Sequence, residues 1–116
     1  MRTFKNLKIW SRSVDLSTQI YKVTKTFPKD EKFGLVSQMR RASVSVASNI
    51  AEGAGRSSDL EFKRFLEIAY GSLYELQTQL IVSKNLEFVS GNEFNMLDTE
   101  IDELQKMIYS FSKRFK

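Results

Sequence analysis

The sequence predicts an all-α protein, an antiparallel up-down-up-down bundle of four helices that assembles as a homo-oligomer. Apolar residues recur at three- and four-residue steps in four segments of the 116-residue chain, the spacing of helices with one buried face. Three short breaks separate the segments, and such short connections place each helix antiparallel to the one before it. A chain of this length supports one domain, which spans residues 1–116.

The first two helices are predicted on either side of the single proline. Helix 1 is expected from about Lys5 to Phe27, because the residue before Pro28 avoids the helical region. Helix 2 is expected from about Asp30 to Glu52. Its buried face is predicted to hold Leu35, Met39, Ala42, Val46 and Ile50.

Glycine and serine mark the second break. Residues 53–58 place two glycines past the expected end of helix 2. Ser58 and Glu61 have the spacing of a capping box, which predicts that helix 3 begins near Asp59.

Helix 3 is expected to reach Phe88, and Ser90 with Glu93 fits a second capping box for helix 4. Helix 4 then continues to about Phe115. Gly71 lies in the middle of helix 3, where glycine costs up to about 1 kcal/mol relative to alanine. This glycine predicts a close helix neighbour.

The composition excludes most catalytic chemistry. The chain contains no cysteine and no histidine, so it has no disulfide, no thiolate and no imidazole base or metal ligand. We expect no enzymatic activity, no cofactor and no metal. An oxygen-ligand metal site on helix 4 is disfavoured because its acidic residues do not share one face: Asp98, Glu100, Asp102 and Glu103.

The N-terminal sequence and the hydropathy indicate a cytoplasmic protein without a membrane segment. The first residues lack the apolar core of a signal peptide. No apolar run approaches the roughly 20 residues of a membrane-spanning helix.

The net charge of +4 conceals an asymmetry along the chain. Residues 1–41 carry +7 and residues 42–116 carry −3, with six acids and no base between Leu86 and Gln105. Up-down topology brings the start of helix 1, the end of helix 2, the start of helix 3 and the end of helix 4 to one end. This basic end is predicted to hold Arg2, Lys5, Lys8, Arg12, Arg56, Lys63, Arg64, Lys113, Arg114 and Lys116.

Clustered cations are the electrostatic footprint expected of a protein that binds RNA or DNA. The alternative is an ordinary solvated face, in which Lys and Arg at the end of helix 4 complement the helix dipole. Phe4, Trp10 and Phe115 lie near this end and are candidates for stacking on bases, although such residues more often belong to the core.

Helix 2 also carries a polar stripe of mostly small residues. Serine and asparagine are poor helix formers, so their presence on this face indicates that another surface packs against it. With Arg56, the stripe residues are candidates for a hydrogen-bonded network, the favoured interpretation, or for a ligand or RNA site: Gln38, Arg41, Ser45, Asn49 and Glu52.

Several motifs in order resemble a bacterial family, the 23S rRNA-intervening-sequence proteins. They are residues 4–10 (FKNLKIW), 27–28, 33–35, 38–42 (QMRRA), 45–53 (SVASNIAEG), Arg56, 62–69, 71–73 and 75–76. The resemblance implies a four-helix bundle that assembles into a homopentamer, with no catalytic residues. It also implies a relation to the accessory variability proteins of diversity-generating retroelements, which bind nucleic acid and a reverse transcriptase through a basic surface.

Two functional hypotheses follow. The first is a non-enzymatic homo-oligomer that binds RNA or DNA through its basic end. The second is a protein–protein interaction scaffold with no nucleic-acid role and an unknown partner. Self-association is favoured by the wide apolar surface of helix 1, where Val14 and Tyr21 extend the stripe formed by Ile9, Leu16 and Ile20.

Overall fold

The computed structural model describes residues 3–115, and most of them lie in four α-helices. The helices are α1 (Lys8–Thr24), α2 (Leu35–Ala54), α3 (Asp59–Asn85) and α4 (Gly91–Ser112). Single 3₁₀ turns at Phe4–Asn6 and Lys29–Glu31 precede α1 and α2. No strand occurs within residues 3–115, and the all-α prediction with four helices is confirmed.

The helices enclose one apolar core. Helix α2 packs along α3, α1 packs against α2, and α4 packs against both α3 and α1, giving an elongated molecule of 43 × 23 × 20 Å. The predicted buried face of α2 lies in this core, with Met39, Val46 and Ile50 fully buried. Burying a side chain of this size stabilises the fold by about 1.5–3 kcal/mol. None of the helices in the described part of the chain is long and apolar enough to cross a membrane.

Contacts between α2 and α3 follow a regular sequence along the two helices. Gly53, near the end of α2, lies against Phe62 and Phe65 near the start of α3. The hydroxyls of Ser45 and Ser72 are 3.0 Å apart. The Ser83 hydroxyl in turn donates to the Met39 sulfur at 3.4 Å.

Helix α1 is shorter at both ends than the expected span from Lys5 to Phe27. Leu7 is extended (ψ 123°) and separates the first 3₁₀ turn from the helix. At the other end, Phe27 lies in the turn after Thr24, yet it is buried, with its ring 5.5 Å from that of Phe88. The apolar pattern therefore continues past the helix because a turn also points this side chain into the core.

Helix α2 begins at Leu35, not at Asp30. Residues 29–31 form a single 3₁₀ turn, and the Glu31 carboxylate accepts a hydrogen bond from the Leu35 amide at 3.2 Å. Gly34, at the N-cap position, has no side chain with which to cap the helix. Glu31 therefore supplies the cap from outside the helix.

The predicted position of the glycines past the end of α2 is wrong for Gly53. Gly53 lies inside the last turn of α2 and is buried, and Gly55 is the C-cap with φ −83°. No described glycine adopts a positive φ. Glycine is therefore needed at position 53 because Phe62 and Phe65 leave no room for a side chain.

Helix α3 ends at Asn85, three residues before the predicted end at Phe88. The Phe88 amide donates to the Ser83 carbonyl and the Glu87 amide to the Lys84 carbonyl, each at 2.9 Å. This pair of bonds is a Schellman motif, which requires a left-handed residue and usually uses glycine. Here Glu87 adopts that conformation, with φ 63°, so the sequence lacks the usual signal.

One predicted capping box is complete and the other is half formed. At α4, the Ser90 hydroxyl accepts from the Glu93 amide and the Glu93 carboxylate accepts from the Ser90 amide, both at 3.1 Å. At α3, the Ser58 hydroxyl accepts from the Glu61 amide at 3.1 Å. The Glu61 carboxylate accepts from the Ser58 hydroxyl at 3.4 Å instead of from its amide.

The close neighbour predicted at Gly71 is absent from the described part of the chain. A Cβ at this position would have nothing within 4 Å. The next residue makes the interhelical contact instead, because Ser72 bonds Ser45 of α2.

Candidate functional site

The structure brings most of the predicted cations to the region where the start of α1, the start of α3 and the end of α4 lie close together. Arg2 and Lys116 lie outside the described residues. Exposed side chains are those of Lys5, Lys8, Arg64, Lys113 and Arg114, and Lys63 is half-buried. The remaining two, Arg12 and Arg56, make ion pairs within the chain.

A cleft of about 520 Å³ lies between the start of α1 and the end of α4. This α1–α4 cleft has an apolar floor and three cations, and none of its lining residues is acidic. The lining residues are Asn6, Leu7, Lys8, Ile9, Lys106, Met107, Ser110, Phe111 and Arg114. An anion entering it would meet positive charge on both sides.

Lys106 belongs to this cleft and is absent from the predicted set. It lies in the last two turns of α4, eight residues before Arg114 and three residues after Glu103, at which the acidic stretch ends. The predicted set contains only cations near helix ends. The spacing could have identified Lys106, because Lys106, Ser110 and Arg114 recur every four residues and so share one face of a helix.

Arg12 is paired with two carboxylates of the same chain. Its guanidinium donates to both Glu100 oxygens at 3.0 and 2.7 Å and to Glu103 at 2.6 Å. These hydrogen bonds raise the pKa of Arg12 and, together with its charge, lower the pKa of Glu103. The side chain is 26% exposed. Arg12 therefore ties α1 to α4, and two carboxylates offset its charge.

Three other cations of this region lie over aromatic rings, namely Arg56, Lys113 and Arg114. Arg56 pairs with Glu52 at 2.8 Å and lies 4.8 Å from the centre of the Phe65 ring. The Arg114 guanidinium lies 5.2 Å from the ring centre of Phe111, on the floor of the α1–α4 cleft. Such contacts hold the long side chains in place while their charged groups stay at the surface.

A second cleft, of about 320 Å³, lies between α3 and α4 on the other side of α4. This α3–α4 cleft combines two lysines, one carboxylate and two tyrosines. Its lining residues are Lys63, Leu66, Glu67, Tyr70, Ile108, Tyr109, Ser112 and Lys113.

The aromatic residues predicted to stack on bases are packed within the chain. The Phe4 and Trp10 rings meet edge to face at 5.0 Å, and the Phe115 ring lies 5.0 Å from that of Phe62. Each of the three predicted residues is half-buried. Two exposed aromatic residues of α3 and α4 are instead tyrosines: Tyr74, in the middle of α3, is 48% exposed, and Tyr109, near the end of α4, is 49% exposed.

A third cleft, of about 390 Å³, lies at the turn between α1 and α2. Lys25, Lys29, Lys32 and Arg40 contribute to it, but Asp30 and Glu31 belong to the same turn. Arg40 is held by hydrogen bonds to the Thr24 hydroxyl at 3.0 Å and the Tyr21 carbonyl at 3.3 Å.

The polar stripe of α2 divides into two separate contacts. The Asn49 amide donates to the carbonyl and the hydroxyl of Ser45, at 2.8 and 2.9 Å, within α2. Ser45 continues this contact to Ser72 of α3. Glu52 pairs with Arg56. Gln38 and Arg41 are exposed on the same face.

Part of the acidic stretch of α4 is held by glutamine. The Gln77 amide donates to Asp98 at 2.9 Å and to Asp102 at 2.7 Å, and Gln105 donates to the Gln77 carbonyl oxygen at 2.9 Å. Within residues 3–115, no three acidic side chains are grouped so that they could hold a metal ion.

The fold has a close match among solved structures. A protein of unknown function from the S23 ribosomal protein family of Bacteroides thetaiotaomicron superposes with a TM-score of 0.84. The match covers 90% of this chain and 95% of that chain at 22% sequence identity, so it shows a shared fold. No curated protein matches the chain.

The family model described as 23S rRNA-intervening sequence protein matches residues 5–110. The matched region contains α1, α2 and α3 in full and α4 up to residue 110. The last lining residues of the two clefts on α4 lie beyond it: Phe111, Ser112, Lys113 and Arg114. The chain therefore belongs to the 23S rRNA-intervening sequence protein family.

Proposed function

We propose that this protein is a non-enzymatic, homo-oligomeric four-helix bundle that binds RNA or DNA through its basic end. The α1–α4 cleft carries the proposal. Lys8 contributes from one helix, Lys106 and Arg114 contribute from the other, and none of the lining residues is acidic. Phosphate groups neutralised by such cations release counterions, which favours binding of a polyanion of any sequence.

The proposal includes an antiparallel order of the helices, which would group the charge in this way. Its support is that Ser17 meets Ser43, whereas Arg40 meets Thr24. Contacts of α3 with α2 and of α4 with α3 reverse in the same way. An up-down-up-down bundle would therefore gather cations that are distant in the sequence.

Self-assembly is supported by an apolar groove between α1 and α2. The groove measures about 400 Å³ and is lined by Val14, Ser17, Thr18, Tyr21, Val44, Ala47 and Ser48. Val14, Tyr21 and Val44 are 36–42% exposed, and exposed apolar surface of this type is typical of interfaces between proteins. The family resemblance favours five copies in the assembly. A cytoplasmic location is also part of the proposal.

The test compares two double charge reversals of equal size. Lys8→Glu with Lys106→Glu alters the α1–α4 cleft, and Lys22→Glu with Lys84→Glu alters exposed lysines outside it. Fluorescence anisotropy with a labelled RNA and the DNA of the same sequence gives the affinities across a salt series. We expect the cleft variant to lose at least about tenfold in affinity and to show a smaller salt slope.

A further variant, Lys25→Glu with Lys29→Glu, addresses the cleft at the turn between α1 and α2. If this variant loses binding while the α1–α4 variant does not, the basic end is the wrong surface. Should the unaltered protein bind neither RNA nor DNA at about 0.1 M salt, the interaction scaffold becomes the better hypothesis. Light scattering of the same samples measures the number of copies.

A further inference from the structure

We propose that Tyr70, Tyr74 and Tyr109 form a base-stacking surface that makes this protein selective for single-stranded nucleic acid. The inference rests on the proposed function, which it narrows from polyanions in general to strands with unpaired bases. These three residues are called the tyrosine cluster below.

The cluster is held in a fixed geometry while its rings remain accessible. The Tyr70 and Tyr74 rings meet edge to face with centroids 5.1 Å apart, and their hydroxyls are 3.1 Å apart, within hydrogen-bond distance. The Tyr109 ring from α4 lies 6.0 Å from Tyr70 at an interplanar angle of 35°. About half of Tyr74 and of Tyr109 is exposed. A ligand would therefore meet rings that are already positioned.

Two lysines lie beside the cluster, where a phosphate backbone would pass. The Lys113 ammonium lies 4.6 Å from the centre of the Tyr109 ring, and Lys63 lines the same α3–α4 cleft. Glu67 is the one carboxylate among the residues that line this cleft. Aromatic rings alternating with lysines are the arrangement by which proteins bind single strands without sequence preference.

The cluster is adjacent to the proposed phosphate site. The α1–α4 cleft and the α3–α4 cleft share α4, with Lys106 lining the first and Lys113 the second. A strand crossing α4 would place phosphates on these lysines and a base on the tyrosines. In a duplex, the faces of the bases are stacked on one another, so a duplex would reach the lysines but not the rings.

The test uses a single-stranded oligonucleotide and the duplex of the same sequence, measured by anisotropy at one salt concentration. The variant Tyr74→Leu with Tyr109→Leu removes the rings and keeps apolar helix formers, and Tyr74→Phe with Tyr109→Phe is its matched control. We expect the unaltered protein to prefer the single strand. The leucine variant should lose about tenfold or more of that affinity, with duplex binding unchanged, and the phenylalanine control should retain it.

Three results overturn the inference. The first is a leucine variant that binds the single strand as the unaltered protein does. The second is an equal loss of affinity for the single strand and the duplex, which would show that the substitutions disturb the fold. The third is a changed mass in light scattering, which would make the cluster a contact between copies. Tyr74→Leu alone repeats the test if the double variant does not fold.

The two proposals fail in distinguishable ways. Binding to both ligands without dependence on the tyrosines removes the stacking role and leaves the basic end intact. Absence of binding to either ligand removes both proposals.

Discussion

A Cβ placed on Gly53 of α2 would lie 2.6 Å from the Cβ of Phe65 on α3. It would also lie 3.0 Å from the Phe62 ring and 3.3 Å from the Phe62 carbonyl oxygen. Two of these atoms belong to the backbone or lie next to it, so they have little freedom to move. The final glycine of the SVASNIAEG motif therefore sets how closely α2 and α3 approach at the end that carries the candidate site.

We expect Gly53→Ala to lower the free energy of unfolding by about 1–3 kcal/mol because the helices must separate to admit a methyl group. Gly71→Ala is the matched control, since its Cβ would have nothing within 4 Å. Alanine there should raise the free energy of unfolding by up to about 1 kcal/mol. Urea unfolding measures both, and two changes of the same sign would contradict the packing argument.

The left-handed conformation of Glu87 is a source of strain that glycine would relieve. We expect Glu87→Gly to raise the free energy of unfolding by roughly 0.5–1 kcal/mol, because glycine adopts φ 63° without a Cβ clash. Gln19→Gly, at an exposed position inside α1, should lower it by up to about 1 kcal/mol. Thermal denaturation of the two variants should show opposite shifts in Tm.

The Arg12 ion pairs predict an acid-dependent contribution to stability. The pKa of Glu103 is lowered in the folded protein, so this contribution is present above the ordinary value of 4.5 and is lost as the pH falls through the folded pKa. We expect Arg12→Met to cost roughly 1 kcal/mol of unfolding free energy at neutral pH, and less in acid. Arg41→Met, at an exposed position, is the control.

Urea unfolding of these two variants at several pH values measures the effect. The Arg12 guanidinium also lies 3.2 Å from the Met107 sulfur. A cost of Arg12→Met that stays constant between neutral and acidic pH would show that the lost contribution is this contact and not the ion pairs.

The negative charge of Glu67 offsets part of the positive charge of the lysines in the α3–α4 cleft. We expect Glu67→Gln to tighten binding of a single strand severalfold, because it removes the one carboxylate among the residues that line the α3–α4 cleft. Asp15→Asn makes the same change of charge at an exposed position on α1 and should have a smaller effect. Anisotropy at low and high salt distinguishes them, since salt screens an electrostatic gain.

Local signals in the sequence predicted the helices better than their ends. The three- and four-residue spacing identified four helices and the buried face of α2, and Ser90 with Glu93 identified the start of α4. Glu87 and Glu31 explain why the predicted end of α3 and the predicted start of α2 differ from the structure. Each performs a role at a helix end that usually belongs to another residue type, a glycine in one case and an N-cap side chain in the other.

The candidate site was predicted only in outline, because its details depend on contacts between distant residues. Arg12 and Glu100 are 88 residues apart, and no spacing rule pairs them. Lys106 and Tyr109 occupy the polar face of an amphipathic helix, where they resemble ordinary surface residues. Only the packing of α4 between α1 and α3 shows that they border two clefts.

The Arg12 contacts also bear on how the protein opens. They join the first helix to the last, so α1 and α4 meet only after the chain between them has folded back, which costs conformational entropy. We therefore expect local unfolding to begin with the separation of α1 from α4. The α1–α4 cleft lies along the same boundary between α1 and α4. An oligonucleotide bound to both Lys8 and Lys106 would hold the two helices together and slow amide hydrogen exchange throughout α1.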